Sequence, residues 1–511
     1  FWTTADICGS ASSPPRLFGG PYLEASPSRP MWLQVVSVAA PCCVGVVCLG
    51  AGAVGVLRAF HGSVGLCPPT VMQLQEERAE NCALFRHLPQ LREKFAWREL
   101  GDYPTPVHDL KVAAGGRTVT VSVKREDYAS PTYGGNKVRT LQHQLAVCEA
   151  RLSAGGPQKL VVLGSGGSNQ VVATIVHARA VKALPPVEVA WVSPDAPDLD
   201  NTLNMLSTFS FKTGGVGLWD DWRTFAQAAW AAFSGGAVVL PLGGNSPSGV
   251  LGQVGGALEL AEQISKGEAD DPDGIYVAVG SSCTVSGLIV GVALARHLGL
   301  RAFQSPKFKI HGVLVHPLFA AAQRTCGLHT APWASFVPLT VSHTVRNACA
   351  ELSALGGPNV LPLALEIMAS QLRLETEADF VGDYGTHSRR SKDAAGAYEK
   401  TGQLSFRNAP ATADGPKPLW LCGHFAAKSF AALLRDAGDE PDLKLLFWHT
   451  KSATQPRGPE DEWQRMREAC ESSPAVRAWA DEGVATSPMR PGGFESRGNA
   501  QQYRPLMTPV K

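Results

Sequence analysis

Residues 274–298 read GIYVAVGSSCTVSGLIVGVALARHL. A short β-branched run, IYVAV, passes through a turn made of Gly280, Ser281, Ser282, Cys283 and Thr284 and then into an apolar stretch of helical length. A strand feeding a helix through such a turn is the working half of a βαβ unit. The same grammar recurs on both sides. Val-rich runs at 118–123 (TVTVSV), 159–165 (KLVVLGS), 188–193 (EVAWVS), 237–242 (AVVLPL) and 308–315 (FKIHGVLV) alternate with Ala- and Leu-rich stretches long enough for helices. The pattern predicts an α/β fold with an open, largely parallel sheet between residues 118 and 320. The segment from about 321 to 378 reads as less regular, and 405–418 (SFRNAPATADGPKP) reads as a surface loop.

In open α/β sheets, ligands gather where strands end and helices begin. Three such loops stand out: GSGGSNQ at 164–170, GGNSPSG at 243–249 and GSSCTVSG at 280–287. In the last, successive amides ahead of a helix form a nest for a phosphate, with hydroxyls from Ser281, Ser282 and Thr284 as further donors. The loop lacks a Walker lysine, which argues against a nucleotide-hydrolysing P-loop. In GSGGSNQ, Ser168 and Asn169 can donate to an anionic oxygen, or the loop is a plain helix cap.

A lysine completes the set. Residues 131–148 read PTYGGNKVRTLQHQLAVC, and Val138, Leu141, Leu145 and Val147 recur at helical spacing. Lys137 therefore sits at the positive end of a helix, where a cation gains nothing and a neutral amine is favoured. Such an amine can attack a carbonyl. Three Gly/Ser loops and one lysine on a single α/β sheet point to a phosphorylated cofactor clamped by the loops and held by the amine, for which pyridoxal 5′-phosphate is the candidate.

Composition narrows the field. Forty-six basic and 45 acidic residues leave a net charge of +1 over 511 residues, so no nucleic-acid partner is implied. Twelve cysteines occur without a CxxC pair, which gives neither zinc spacing nor a disulfide framework, and no HExxH or clustered His/Asp pattern supports a metal. His177, His311 and His316 read as core histidines, and Trp219 and Trp222 as core or pocket wall.

Five stretches organise the chain. Residues 1–30, rich in Ser, Pro and Gly, read as a disordered leader. Residues 31–60 carry an uncharged run, 32–57, that is long enough to span a bilayer or to serve as the core of a targeting signal. Membrane association through 32–57, or delivery to a mitochondrion or plastid, is the expectation. Residues 61–97 read as linker and helical lead-in, 98–456 as the catalytic region, with a smaller domain at about 160–250 within it, and 457–511 as a polar tail.

Taken in order, YGGNKVR, GSGGSNQ, GGNSPSGVLGQVGGALELAEQ, AVGSSCTVSGL and LLFWHT resemble the D-cysteine desulfhydrase and 1-aminocyclopropane-1-carboxylate deaminase family of fold-type II pyridoxal-phosphate enzymes. The resemblance covers about residues 98–455 and includes the entry segment LGDYPTPVHDL. It implies two open, twisted, mostly parallel sheets flanked by helices, and a homodimer. Lys137 matches the family lysine that bonds the cofactor. Ser168, Asn169 and Gln170 match a loop in which the serine contacts substrate, the asparagine lies beside the cofactor ring hydroxyl and the amides take the substrate carboxylate. Gly280, Ser281, Ser282, Cys283 and Thr284 match the phosphate loop, with Ser282 and Cys283 where relatives carry glycine. Thr450 matches a partner for the ring nitrogen, and Tyr384 resembles a second active-site tyrosine.

One departure bears on the chemistry. In CGHFAAKSFAALL, residues 422–434, Phe425 and Ala426 stand where relatives have a catalytic tyrosine followed by Thr or Glu. A phenyl ring has no proton to give. The resemblance thus implies a pyridoxal-phosphate lyase acting on a small amino acid, D-cysteine first. A cyclopropane-acid deaminase and a degenerate cofactor binder without turnover are the alternatives.

Overall fold

The computed structural model describes residues 55, 59–60, 62–337, 339–407, 415–486 and 507–510. The expected leader at 1–30 and, apart from Gly55, the apolar run at 32–57 lie outside the described residues. Among the described residues, no helix is long and apolar enough to cross a membrane.

The strands, in chain order, are β1 (Val107–Ala114), β2 (Arg117–Arg125), β3 (Lys159–Ser165), β4 (Glu188–Ser193), β5 (Gly215–Gly217), β6 (Ala237–Leu240), β7 (Gly274–Val279), β8 (Lys309–Leu314), β9 (Leu372–Glu375), β10 (Gln403–Phe406), β11 (Leu445–His449), β12 (Pro456–Arg457) and β13 (Thr508–Pro509). A seven-stranded sheet has the order β10-β1-β2-β11-β7-β8-β9, and a four-stranded sheet the order β5-β4-β3-β6. The smaller sheet is parallel throughout. The larger is mixed, because β1 runs antiparallel to both β10 and β2 while β2 to β9 pair in parallel. The six strand runs read from sequence all form strands. The reversal at β1 was not read, because VHDLKVAA alternates apolar and polar residues rather than running apolar.

Eight helices matter for the site: α1 (Lys137–Ser153), α2 (Asn169–Ala178), α3 (Leu199–Ser210), α4 (Pro247–Ser265), α5 (Cys283–His297), α6 (Ala426–Asp439), α7 (Glu462–Ser472) and α8 (Pro474–Thr486). Strand alternation decides which of them β7 touches. Ile275, Val277 and Val279 pack with Val254, Leu258, Leu288 and Val292 of α4 and α5, whereas Tyr276 turns to the other face, with Phe430 and Leu433 of α6.

Buried charges bind these layers together. Lys124 of β2 lies 2.6 Å from Glu259 of α4, and Arg139 of α1 lies 2.8 Å from Glu259 and 2.6 Å from Glu126. Thr105 donates its backbone N–H to the same Glu259 carboxylate at 2.9 Å. Burial works against the Glu259 charge, but Arg139 and Lys124 outweigh it and hold the carboxyl at about 2.

Three sequence expectations are corrected. The stretch from 321 to 378 is largely helical, with helices ending at Cys326 and spanning Val341–Ala354 and Leu361–Ser370, of which the first and last are ten-residue helices with Pro at one of their first two positions. Residues 405–406 of the supposed surface loop pair with β1, while 408–414 lie outside the described residues. The tail, read as polar with one short helical stretch, instead contributes to the core through two helices, α7 and α8, and through Met507. Trp463 and Met466 of α7 and Val476 and Trp479 of α8 are buried in the core beneath the four-stranded sheet. Their apolar positions are sparse among charged ones, which is what a helix covering one face of a domain shows. Trp222, by contrast, is exposed, on a helix that also exposes Trp230 and Phe233.

Candidate active site

The carboxyl ends of β3, β7 and β11 open onto one cavity of about 280 Å³. All the residues singled out from the sequence line it: Lys137, Ser168, Asn169, Gln170, Gly280, Ser281, Ser282, Cys283, Thr284, Tyr384 and Thr450. Phe425 lines it too.

Lys137 is the first residue of α1, as the spacing of its apolar neighbours predicts. Gly135, at φ +100, lets the chain pass so close to β11 that a Cβ there would come within 2.4 Å of the Thr450 carbonyl. This approach aims the lysine inward. Its Nζ donates to the Gly243 carbonyl at 2.8 Å, and Gly243, at φ +62, has room for no side chain against Ser281. Burial pushes the Lys137 amine below its usual range, with the Cys283 thiol opposing weakly. No carboxylate is hydrogen-bonded to it among the described residues.

Across the cavity, β7 ends at the turn into α5. Ser282 takes a left-handed conformation, φ +68, that a glycine would adopt without cost. Its hydroxyl does not cap the helix but donates to the Leu339 carbonyl at 2.6 Å. The first turn of α5 carries no acidic residue. Asn136 donates its amide to the Thr284 hydroxyl at 2.7 Å and so ties the lysine turn to this loop. An uncapped helix start facing a buried amine fits a phosphorylated aldehyde: amides for the phosphate and Lys137 for the carbonyl.

The third loop supplies Ser168 and Asn169 at the start of α2. Ser168 makes no capping bond, so its hydroxyl is available to the cavity. Asn169 Oδ1 accepts from the Tyr133 phenol at 2.8 Å, from Asn204 Nδ2 at 3.2 Å and from Lys451 Nζ at 3.1 Å. With its oxygen so engaged, the Asn169 amide nitrogen is the end left for a ring hydroxyl. The Gln170 side chain turns along α2 toward Thr174, 3.3 Å away. Thr450 closes β11, and its carbonyl accepts from Asn136 N at 3.4 Å.

Phe425 presses on the phosphate loop, since a Cβ on Gly280 would lie 3.0 Å from its ring. It stacks on His424 at 3.9 Å. The Tyr384 ring meets His424 edge-on at 4.6 Å and His316 at 4.9 Å. Burial raises the Tyr384 phenol above its usual range, with Asp195 adding to the effect and Ser165 opposing it. Asp195 stands 3.8 Å from His424, and burial pushes its carboxyl up to about 6 against hydrogen bonds from Ser165 and the Gly167 amide.

Sequence reasoning missed four cavity residues: Tyr133, His316, His424 and Lys451. His316, read as core, accepts from the Leu318 amide at 3.2 Å while lining the cavity. A lone His or Lys carries no spacing signal. The one available hint was that HTKSA continues past the end of a strand already marked by Thr450.

Comparison with known proteins agrees with this geometry. Residues 98–352 match the family described as pyridoxal-phosphate dependent enzyme. A candidate 1-aminocyclopropane-1-carboxylate deaminase of Pyrococcus furiosus is 28% identical over 211 residues, 40% of this chain and 61% of that protein. Nocardicin C-9′ epimerase of Nocardia uniformis is 31% identical over 38% of this chain and 58% of its own length. The D-cysteine desulfhydrase of Salmonella paratyphi C is 28% identical over 39% of this chain and 61% of its own length. Through residues 98–352 the chain belongs to the pyridoxal-phosphate dependent enzymes, and pyridoxal 5′-phosphate is its cofactor.

Proposed function

We propose that the enzyme is a lyase for a small amino acid, with D-cysteine as preferred substrate and sulfide, ammonia and pyruvate as products. The observation that carries this reading is the composition of the cavity wall: Lys137, Ser168 and Asn169 converge on it, yet a phenyl ring, Phe425, stands where the resembled family has a phenol. When bound, pyridoxal phosphate draws electrons from the substrate α-carbon.

The residues supply the rest. The α5 amides, with Ser281 and Thr284, would hold the phosphate, and the Asn169 amide and Thr450 would serve as polar partners for the cofactor ring. Lys137, whose amine burial pushes below its usual range, accepts the α-proton at Nζ. Tyr384 keeps its proton under burial and remains a donor. Sulfide leaves as a thiolate that needs little protonation, so loss of the phenol at 425 is tolerable. Opening a cyclopropane has no such leaving group and depends more on a placed acid. Association through 32–57 with a membrane or organelle, and a homodimer, belong to the same proposal; cell fractionation and light scattering test them.

The deciding assay measures sulfide, ammonia and keto-acid release by the cofactor-loaded full chain from D-cysteine, L-cysteine and 1-aminocyclopropane-1-carboxylate. Desulfhydration should dominate. Cyclopropane turnover above cysteine turnover would overturn the ranking. Bound cofactor with no product from any of the three would favour a binder without turnover, the reading that Phe425 and Ala426 support.

A further inference from the structure

Lys451 follows Thr450 at the end of β11, lines the cavity and is only 4% exposed. Its Nζ lies 3.1 Å from Asn169 Oδ1, hydrogen-bonds the Tyr133 phenol and stands 5.0 Å from the centre of the Trp420 ring. These contacts are all neutral. Among the described residues, no carboxylate comes within ion-pair distance of it. Burial opposes its charge, but Tyr133, Asp200, Cys422 and Asp198 outweigh burial and raise its pKa, so the amine stays an ammonium. No anion among the described residues touches this charge directly, so the ammonium remains able to pair with one that enters the cavity.

The placement says which anion. Asn169, the acceptor for Lys451, opens α2, and the preceding Ser168 leaves its hydroxyl off the helix end. An anion lodged there meets the Ser168 hydroxyl, the first amides of α2 and the Lys451 ammonium together. The helix has ten residues, enough for its terminus to favour negative charge.

We infer that Lys451 is an anion-binding residue of the substrate pocket, pairing with a carboxylate-class group of the amino acid and adding a full charge to the neutral donors at Ser168–Gln170. The inference rests on the reading of the substrate as an amino acid. The group is either the α-carboxylate or an acidic side chain, and the ligands in the test separate the two.

Holoenzyme carrying Lys451→Met, Lys451→Arg or no substitution is titrated with D-cysteine, with D-cysteine amide and with D-aspartate, following the cofactor absorbance. Lys451→Met should raise half-saturation roughly ten- to hundred-fold for the ligands that use the site, as expected for loss of a charge-assisted bond. Turnover at saturation should fall much less, and Lys451→Arg should recover most of the loss. An effect on cysteine that is absent for its amide assigns the α-carboxylate; an effect confined to aspartate assigns the side chain. Half-saturation unchanged for every ligand overturns the inference. So does an altered absorbance of the ligand-free holoenzyme with unchanged half-saturation, because Lys451 would then serve the cofactor. Where Lys451→Met folds poorly, Lys451→Gln keeps a donor for Asn169 without the charge. Binding is read from absorbance, so a chain that binds amino acids without releasing product refutes the lyase proposal and leaves this one standing.

Discussion

The buried cations beneath the large sheet and those around the cavity sit in opposite surroundings. Lys124 meets Glu259 at 2.6 Å, Gln263 Oε1 at 2.7 Å and the Thr105 carbonyl at 2.7 Å, so each of its protons has a partner and its charge an opposite. Lys137, two residues before that network's Arg139, donates to a carbonyl, and Lys451 to an amide oxygen and a phenol. Where a cation holds elements together, the fold supplies a carboxylate. Where none is supplied, the amine is left for something that enters the cavity.

The largest effect should come from the amine itself. Lys137→Ala should cut turnover by on the order of 10²–10⁴-fold or more, as loss of a proton-transferring group does, while leaving the melting temperature nearly unchanged. Borohydride reduction of the wild-type holoenzyme followed by peptide mapping should place the pyridoxyl group on Lys137. Its appearance on Lys428 would break the comparison at its centre.

The network should respond in the reverse way. Glu259→Gln leaves Lys124 and Arg139 buried with one carboxylate fewer and should cost about 3–5 kcal/mol in a denaturant titration, since a buried charge that loses its partner is strongly destabilising. Substrate half-saturation should hold. The same carboxyl sets an acid limit. Its pKa is 4.5 in an ordinary setting and about 2 here, so its contribution to stability is fully present above 4.5 and is lost as pH falls toward 2. That slope should flatten in Glu259→Gln. A slope identical in the two proteins would mean that other groups set the acid limit.

A smaller effect is expected from Phe425→Tyr. A phenol restored against Gly280 should raise desulfhydrase turnover by up to about ten-fold, less than the roughly 10²–10⁴-fold that a placed acid contributes where the leaving group needs one. No gain, with cofactor bound and the fold intact, would show that Tyr384 already performs whatever proton donation the cavity needs.

How much of this was readable in the chain differs between the two regions. The phosphate turn and the lysine turn were legible because glycines, serines and a lysine mark strand-to-helix turns over a few adjacent residues. The six Val-rich strands were legible because β-branched runs of strand length stand between turn residues and helical stretches. Lys451, His424 and His316 were not, because they come together from three distant stretches and only the folded sheet brings them to one cavity. The Lys124–Glu259–Arg139 network was equally silent, as its members lie on β2, α4 and α1 and each alone looks like a surface charge. At the start of the tail a short helical stretch was readable, but not that the tryptophans of α7 and α8 are core, because charged outer faces surround them.

The smallest effect expected is at Ser282, where the phosphate loop departs from glycine. An L-residue in the left-handed region costs roughly 1–2 kcal/mol. The hydrogen bond from the Ser282 hydroxyl to the Leu339 carbonyl, 2.6 Å long, returns about 0.5–1.5 kcal/mol. The two nearly offset, which is how a serine can hold a position that suits glycine. Ser282→Gly removes both and should change stability by less than about 1 kcal/mol. Ser282→Ala keeps the strained backbone and removes the bond, so it should be the least stable of the three by about 0.5–1.5 kcal/mol. Denaturant midpoints rank them, and the affinity for added pyridoxal phosphate should follow the same order, because both depend on how firmly the turn before α5 is held. Ser282→Ala as stable as the wild type would show that the Leu339 bond contributes nothing, and the left-handed serine would then be an uncompensated strain in the phosphate loop.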